Sequence, residues 1–276
     1  MEHGDDKAFP GLGQSIALLV ILLVVDIATS LLLDASGLVP DGAKIQWTLL
    51  ATSAADALVL GSFLGRRRLT WRNALHPAQV RPQSLMGLLT LPLLLISPAL
   101  FLATGLMDDM VRAAFPISDR LRQLFDELFG GGAASFVAVV LVAPFLEELL
   151  LRGIILRGLL ARMPAGRAVA LSSFLFGAMH ANIYQFVDAG ALGLVLGWLY
   201  VRFRSTLPCI LLHAVTNALA MLCWSLDAQD LPTLEVPGWI WFAAGIAVVP
   251  GILLLKRYAA HARAGGAAKG PETIGT

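Results

Sequence analysis

The chain has 276 residues, of which 57% are hydrophobic and only 14% charged, with a mean hydropathy of +0.76 and a formal net charge of +1. A water-solvated domain needs about a quarter charged residues to cover its surface, so a soluble fold is excluded, and arginines confined to the ends of apolar runs leave no basic face for nucleic acid. Cys209 and Cys223 fall on one predicted helix about 21 Å apart at 1.5 Å per residue, too far for a disulfide.

From the N-terminus, Met1 to Pro10 is polar and carries Glu2, Asp5 and Asp6 against Lys7. It lacks the basic start and cleavage site of a signal peptide, so the first apolar run is expected to be a retained membrane helix. Eight apolar segments follow, at 13–33, 45–65, 83–106, 133–151, 168–186, 188–201, 206–226 and 238–255. Most reach the roughly 20 residues a spanning helix requires. The fifth and sixth are short and share a tight turn near 182–188. The predicted fold class is therefore all-α: a polytopic integral membrane protein of about eight transmembrane helices, with its site inside the bundle. Residues 1–132 hold three helices and an amphipathic connection, 133–226 the core helices, 227–258 the last helix, and 259–276 an Ala/Gly-rich tail expected to be disordered.

Orientation follows from the cations. Arg66, Arg67, Arg68, Arg72 and Arg81 follow the second segment, and Arg152, Arg157, Arg162 and Arg167 close the fourth. Arg202 and Arg204 separate the sixth and seventh, and Lys256, Arg257 and Arg263 follow the eighth. With eight crossings all four clusters share one side, and both termini are expected on that cytoplasmic side. The connection at 108–130 is discordant, with Arg112, Arg120 and Arg122, and its apolar spacing predicts an amphipathic surface helix. The Ala189-x3-Gly193-x3-Gly197 stripe predicts close helix packing. The Ala-, Leu-, Gly- and Arg-rich composition suggests a bacterial inner membrane.

Ionisable groups inside spanning helices are costly and are functional candidates by default. Asp26 and Asp56, on the first two helices, are read as partners for neighbouring helices or as near-interface groups. Glu147 and Glu148 stand adjacent in a leucine run. Glu148 and Arg152, four apart, share a face and can pair, whereas Glu147 points about 100° away and is a candidate proton acceptor. The competing reading is an interfacial ion cluster at a helix end. Of five histidines, His180 and His213 alone fall inside apolar segments, while His3, His76 and His261 lie in tails or loops; His213 shares a helical face with Asn217. Counted along each helix, Glu147, His180, His213 and Asn217 can meet at a similar depth, near the midplane or in the cytoplasmic half.

Glu147-Glu148-x3-Arg152, then Phe176-x3-His180, then His213-x3-Asn217, resembles the three motifs of the CAAX protease and bacteriocin-processing family of intramembrane endopeptidases, over about 133–226. The resemblance implies an enzyme in which Glu147 acts as general base with His180 on a water, His213 and Asn217 stabilise the oxyanion, and Glu148 and Arg152 support Glu147. It implies as substrate a membrane-associated peptide or protein, with lipidated ones included. A metal-independent glutamate mechanism is favoured over zinc held near His180, His213 and Glu147, because His-Glu-x-x-His is missing and Asn is an uncommon zinc ligand. Alternatives are a non-catalytic scaffold or bacteriocin-immunity-type protein of the same fold, a bis-histidine haem protein and a proton-coupled transporter; haem would leave both glutamates unexplained.

Overall fold

The computed structural model describes residues 10–39, 44–67, 69–226 and 232–267, and side chains up to residue 260. The sequence expectations for the first nine residues, for Arg68 and for 268–276 lie outside the described residues, as do those for the side chain of Arg263. Among the described residues the chain is helical and contains no strand. In order come α1 (Leu12–Ser36), α2 (Lys44–Arg66), the short α3 (Trp71–Leu75), α4 (Pro82–Ala114), α5 (Asp119–Gly130), α6 (Gly132–Leu160), α7 (Ala165–Ala178), α8 (Ile183–Phe203), α9 (Leu207–Ser225) and α10 (Gly238–Ala267).

Seven of these are long and apolar enough to cross a membrane, while α7 has only 14 residues and reaches about 21 Å. The fifth predicted segment therefore ends early. Its chain turns over at 179–182 rather than at 182–188, because Asn182 caps α8 by accepting the Gln185 N–H at 2.9 Å. The hairpin of α7 and α8 nonetheless reaches the far side of the bundle, where Tyr184 Oη donates to Phe115 O at 2.7 Å. Two further boundaries differ from expectation. Helix α4 runs on to Ala114, so that Asp108 and Arg112 lie on it and only α5 forms the amphipathic connection. Helix α10 continues past residue 258 to Ala267, into the stretch expected to be a disordered tail.

Contacts between the connections assign the helix ends to two opposite poles. At one pole Arg157 Nη1 donates to Asn73 O, Thr206 Oγ1 donates to Leu75 O, and Pro10 lies against Gly158. His76 joins it: Nε2 donates to Val80 O and Nδ1 accepts from Ser205 Oγ at 2.8 Å. At the other pole Gln46 reaches Glu127 O, Lys44 pairs with Asp34, and Thr233 N–H donates to Asp109. The arginine clusters after α2, α6 and α8 thus gather at the first pole.

Helix α6 is the axis. Leu149, Leu151, Ile155, Leu156 and Leu159 are fully buried on it, while Leu31, Leu58, Trp239 and Phe242 on peripheral helices stay exposed, as lipid-facing side chains do. Asp26 and Asp56 are neighbours between α1 and α2, the two helices on which they were expected to meet a partner helix. Helices α7 and α8 approach closely because Gly193 and Gly197 face Ser173 and Val169. At Gly177 an added Cβ would meet Phe186 O at 2.5 Å, whereas at Gly166 nothing lies within 4 Å. Gly177→Ala must push the hairpin apart and is expected to lower stability by about 1–3 kcal/mol. Gly166→Ala should leave it unchanged or raise it by about 0.5–1 kcal/mol. Melting temperatures of the two variants in detergent check this, and equal values would mean that the α7–α8 contact is not tight.

Candidate active site

Helix α6 departs from the α-helical register on both sides of its glutamates. Val137–Val142 and Leu149–Leu156 are π-helical, and Ala143 N–H bonds to Ala138 O, five residues back. In that register the next N–H, which would serve Val139 O, belongs to residue 144, and residue 144 is proline. The freed Val139 carbonyl takes Asn217 Nδ2 at 2.8 Å. Pro144 therefore makes a place for Asn217, and one amide proton of Asn217 ties α9 to α6. π-bulges often occur at functional sites, where they alter the spacing of side chains along a helix.

Glu147 and Glu148 then face different surroundings. Glu148 is fully buried, and its Oε1 accepts Arg152 Nη1 at 2.8 Å and His213 Nδ1 at 3.0 Å. Arg152, also fully buried, donates from Nη2 to Gly193 O at 3.1 Å and lies 4.8 Å over the Phe176 ring. Glu147 instead turns to a cavity of about 450 Å³, where its Oε2 stands 3.7 Å from His213 Nε2. That gap is too long for a direct hydrogen bond, so carboxylate and imidazole face a common volume. His213 is thus oriented by Glu148 and presented to Glu147. With Nδ1–H committed to Glu148, Nε2 accepts in the neutral ring and donates in the doubly protonated one.

His180 arrives from the α7–α8 turn. Its Nδ1 donates to Phe176 O at 2.9 Å, which leaves Nε2 as an acceptor. The turn behind it is strained: Ala181 has φ 56°, a left-handed conformation unfavourable for a residue with a Cβ, and Asn182 Nδ2 bonds His180 O. Phe176 separates the two histidines, its ring centroid 5.4 Å from each. Glu147, His180, His213 and Asn217 all line the one cavity. The pairing differs from the expectation in one respect. The imidazole nearest Glu147 is His213, which also contacts Glu148, whereas His180 contributes a separate wall.

No three His, Cys, Asp or Glu side chains converge at ligand spacing among the described residues. With His213 Nδ1 held by Glu148, Nε2 is the ring nitrogen of His213 that faces the cavity and Glu147. Sequence reasoning missed the roles of Phe176 and of the Val139 carbonyl; Pro144, three residues before Glu147, was the available signal for the second. It also missed the polar wall of Asp108, Arg112, Tyr184 and Asp188, because α4 was ended too soon.

Fold and site together define a polytopic helical membrane protein with an acid–histidine centre buried in its bundle. Residues 130–219, about a third of the chain, match the family model described as type II CAAX prenyl endopeptidase Rce1-like, which supports the resemblance to the CAAX protease and bacteriocin-processing family. No curated protein and no solved structure matches the chain.

Breaking a buried ion pair from one side costs about 3–5 kcal/mol, so Arg152→Ala is expected to lower the melting temperature sharply and to reduce protein in the membrane. Asn217→Ala removes one hydrogen bond and strands Val139 O, at about 1–3 kcal/mol. A melting temperature for Arg152→Ala no lower than that for Asn217→Ala would show that Glu148 is not held as described.

Proposed function

We propose that the protein is an intramembrane endopeptidase that hydrolyses a peptide bond of a membrane-associated protein or peptide by a glutamate-activated water. The observation that carries this reading is the arrival of Glu147, His180, His213 and Asn217 on one cavity, within the stretch matched by the protease family model.

In the proposed reaction Glu147 takes a proton from a water whose oxygen attacks the scissile carbonyl carbon. His180, with its Nε2 lone pair, helps hold that water. The carbonyl oxygen becomes an oxyanion, and the second amide proton of Asn217 and the Nε2–H of doubly protonated His213 are the donors that serve it. Collapse breaks the C–N bond, and the proton on Glu147 passes to the leaving nitrogen, giving a carboxylic acid and an amine; the acid proton then passes to the amine, leaving a carboxylate and an ammonium group. Glu148 and Arg152 act as positioning residues, since they reach the cavity only through His213 and Phe176.

A non-catalytic scaffold of the same fold has no need for a partly exposed carboxylate opposite an oriented imidazole, so the enzymatic reading is preferred. Glu147→Gln keeps the shape and removes the basic charge. It is expected to insert and melt like the wild type while cleaving at least 10²-fold more slowly. Asn217→Ala should retain residual cleavage, because His213 remains and an oxyanion donor is typically worth about 10²–10³-fold. Cleavage of a labelled membrane-protein substrate that accumulates in Glu147→Gln cells supplies the assay. Wild-type turnover by Glu147→Gln would remove Glu147 from the role of base. Activity is further expected to survive exhaustive treatment with a zinc chelator; loss restored by zinc would instead favour the metal alternative.

A further inference from the structure

The cavity is displaced towards one pole of the bundle. It runs from Glu147, Leu192 and His213 near mid-helix to Arg112 on α4, Phe129 on α5 and Trp224 on α9. These last three belong to the pole of Phe115, Glu127 and Thr233. On the other side of the glutamates the way is closed. Leu149, Leu151, Arg152, Ile155, Leu156 and Leu159 are all fully buried between the site and the pole that carries Arg157 and Arg162.

The two poles differ in charge. The closed pole collects the arginine-rich clusters after α2, α6 and α8, and Lys256 and Arg257 near the end of α10. The open pole carries Lys44, Arg112, Arg120 and Arg122, of which Lys44 and Arg112 pair with Asp34 and Asp108. An excess of Lys and Arg in short connections marks the cytoplasmic side. The cavity therefore faces away from it.

Resting on the endopeptidase reading above, we infer that the cavity takes its substrate from the extracytoplasmic side. The substrate class is an exported, membrane-attached polypeptide whose scissile segment enters the bundle from the outer half of the bilayer, not a C-terminus lipidated in the cytoplasm. The mouth suits an extended segment of mixed character. On one side Phe125 and Phe129 of the amphipathic α5 stack with Trp224 of α9, with centroids 6.3 and 5.1 Å from the indole. On the other, Arg112, Tyr184 and Asp188 present polar groups. An apolar side chain fits against the aromatic cluster while the peptide backbone lies along the polar wall down to Glu147.

The native cysteines provide the test. Cys223 lines the cavity near its mouth, whereas Cys209 is fully buried. Intact cells are treated with a membrane-impermeant cationic thiol reagent, comparing the wild type with Cys223→Ser. Two side markers are added in the Cys223→Ser background: Arg120→Cys on the exposed part of α5 and Thr70→Cys at the closed pole. Modification of Cys223 and of Arg120→Cys from outside is expected, with Thr70→Cys reacting only after permeabilisation. Reaction of Thr70→Cys from outside with Arg120→Cys protected would reverse the orientation and overturn the inference. So would protection of Cys223 in both intact and permeabilised cells while Arg120→Cys reacts, since the cavity would then not open at that pole. Labelling is independent of catalysis, so an inactive enzyme labelled as expected would count against the proteolytic reading alone.

Discussion

A carboxylate removed from water must be neutralised by the protein around it, and the other polar groups of this core are arranged by how Glu148 is neutralised. Its Oε1 accepts from Arg152 and from His213, both on side chains with almost no exposure. The first contact holds a guanidinium in the middle of the bundle, where it also reaches Gly193 O on α8 and covers the ring of Phe176 on α7. The second turns the imidazole of His213 so that its other nitrogen faces Glu147. The Glu148–Arg152 pair thus links α6 to α7, α8 and α9, and separates Glu148, held inside the core, from Glu147, which faces the cavity. Buried ion pairs are weak sources of stability, so the arrangement is better understood as specifying geometry than as strengthening the fold.

The backbone supplies the second constraint. Pro144 leaves Val139 O without its π-register donor, and Asn217 fills that place from α9. Asn217 is thereby held beside the cavity by a bond with no role in chemistry. On the opposite wall His180 is held by a bond to Phe176 O and by a turn that forces Ala181 into the left-handed region. His180, His213 and Asn217 are each fixed by a contact outside the cavity. Such preorganisation is what electrostatic stabilisation of a transition state requires.

Much of this was legible in the sequence because membranes restrict the alternatives. Long apolar runs admit only helices, and ionisable residues in them are few enough to enumerate. The i,i+4 spacing of Glu148 and Arg152 gave their pairing, and that of His213 and Asn217 gave their shared face. Helix depth was enough to expect Glu147 and His180 near them. What could not be read was which histidine lies closest to Glu147, because that depends on helix rotation and on the fully buried Phe176 between the rings. The extension of α4 through Asp108 and Arg112 was hidden because charged residues at a helix end look like a loop. The buried bonds of His76 to Ser205 and Val80 were likewise invisible, since they join connections far apart in sequence.

Glu148 orients His213 towards Glu147, and the protonation of the His213 ring reports it directly. Nitrogen chemical shifts of isotope-labelled histidine, assigned to His213 by its loss in His213→Gln, distinguish the tautomers. A protonated Nδ1 in the wild type, hydrogen-bonded to a carboxylate, and a changed Nδ1 signal in Glu148→Gln are expected. A neutral His213 with its proton on Nε2 and a bare Nδ1, unaffected by Glu148→Gln, would contradict it.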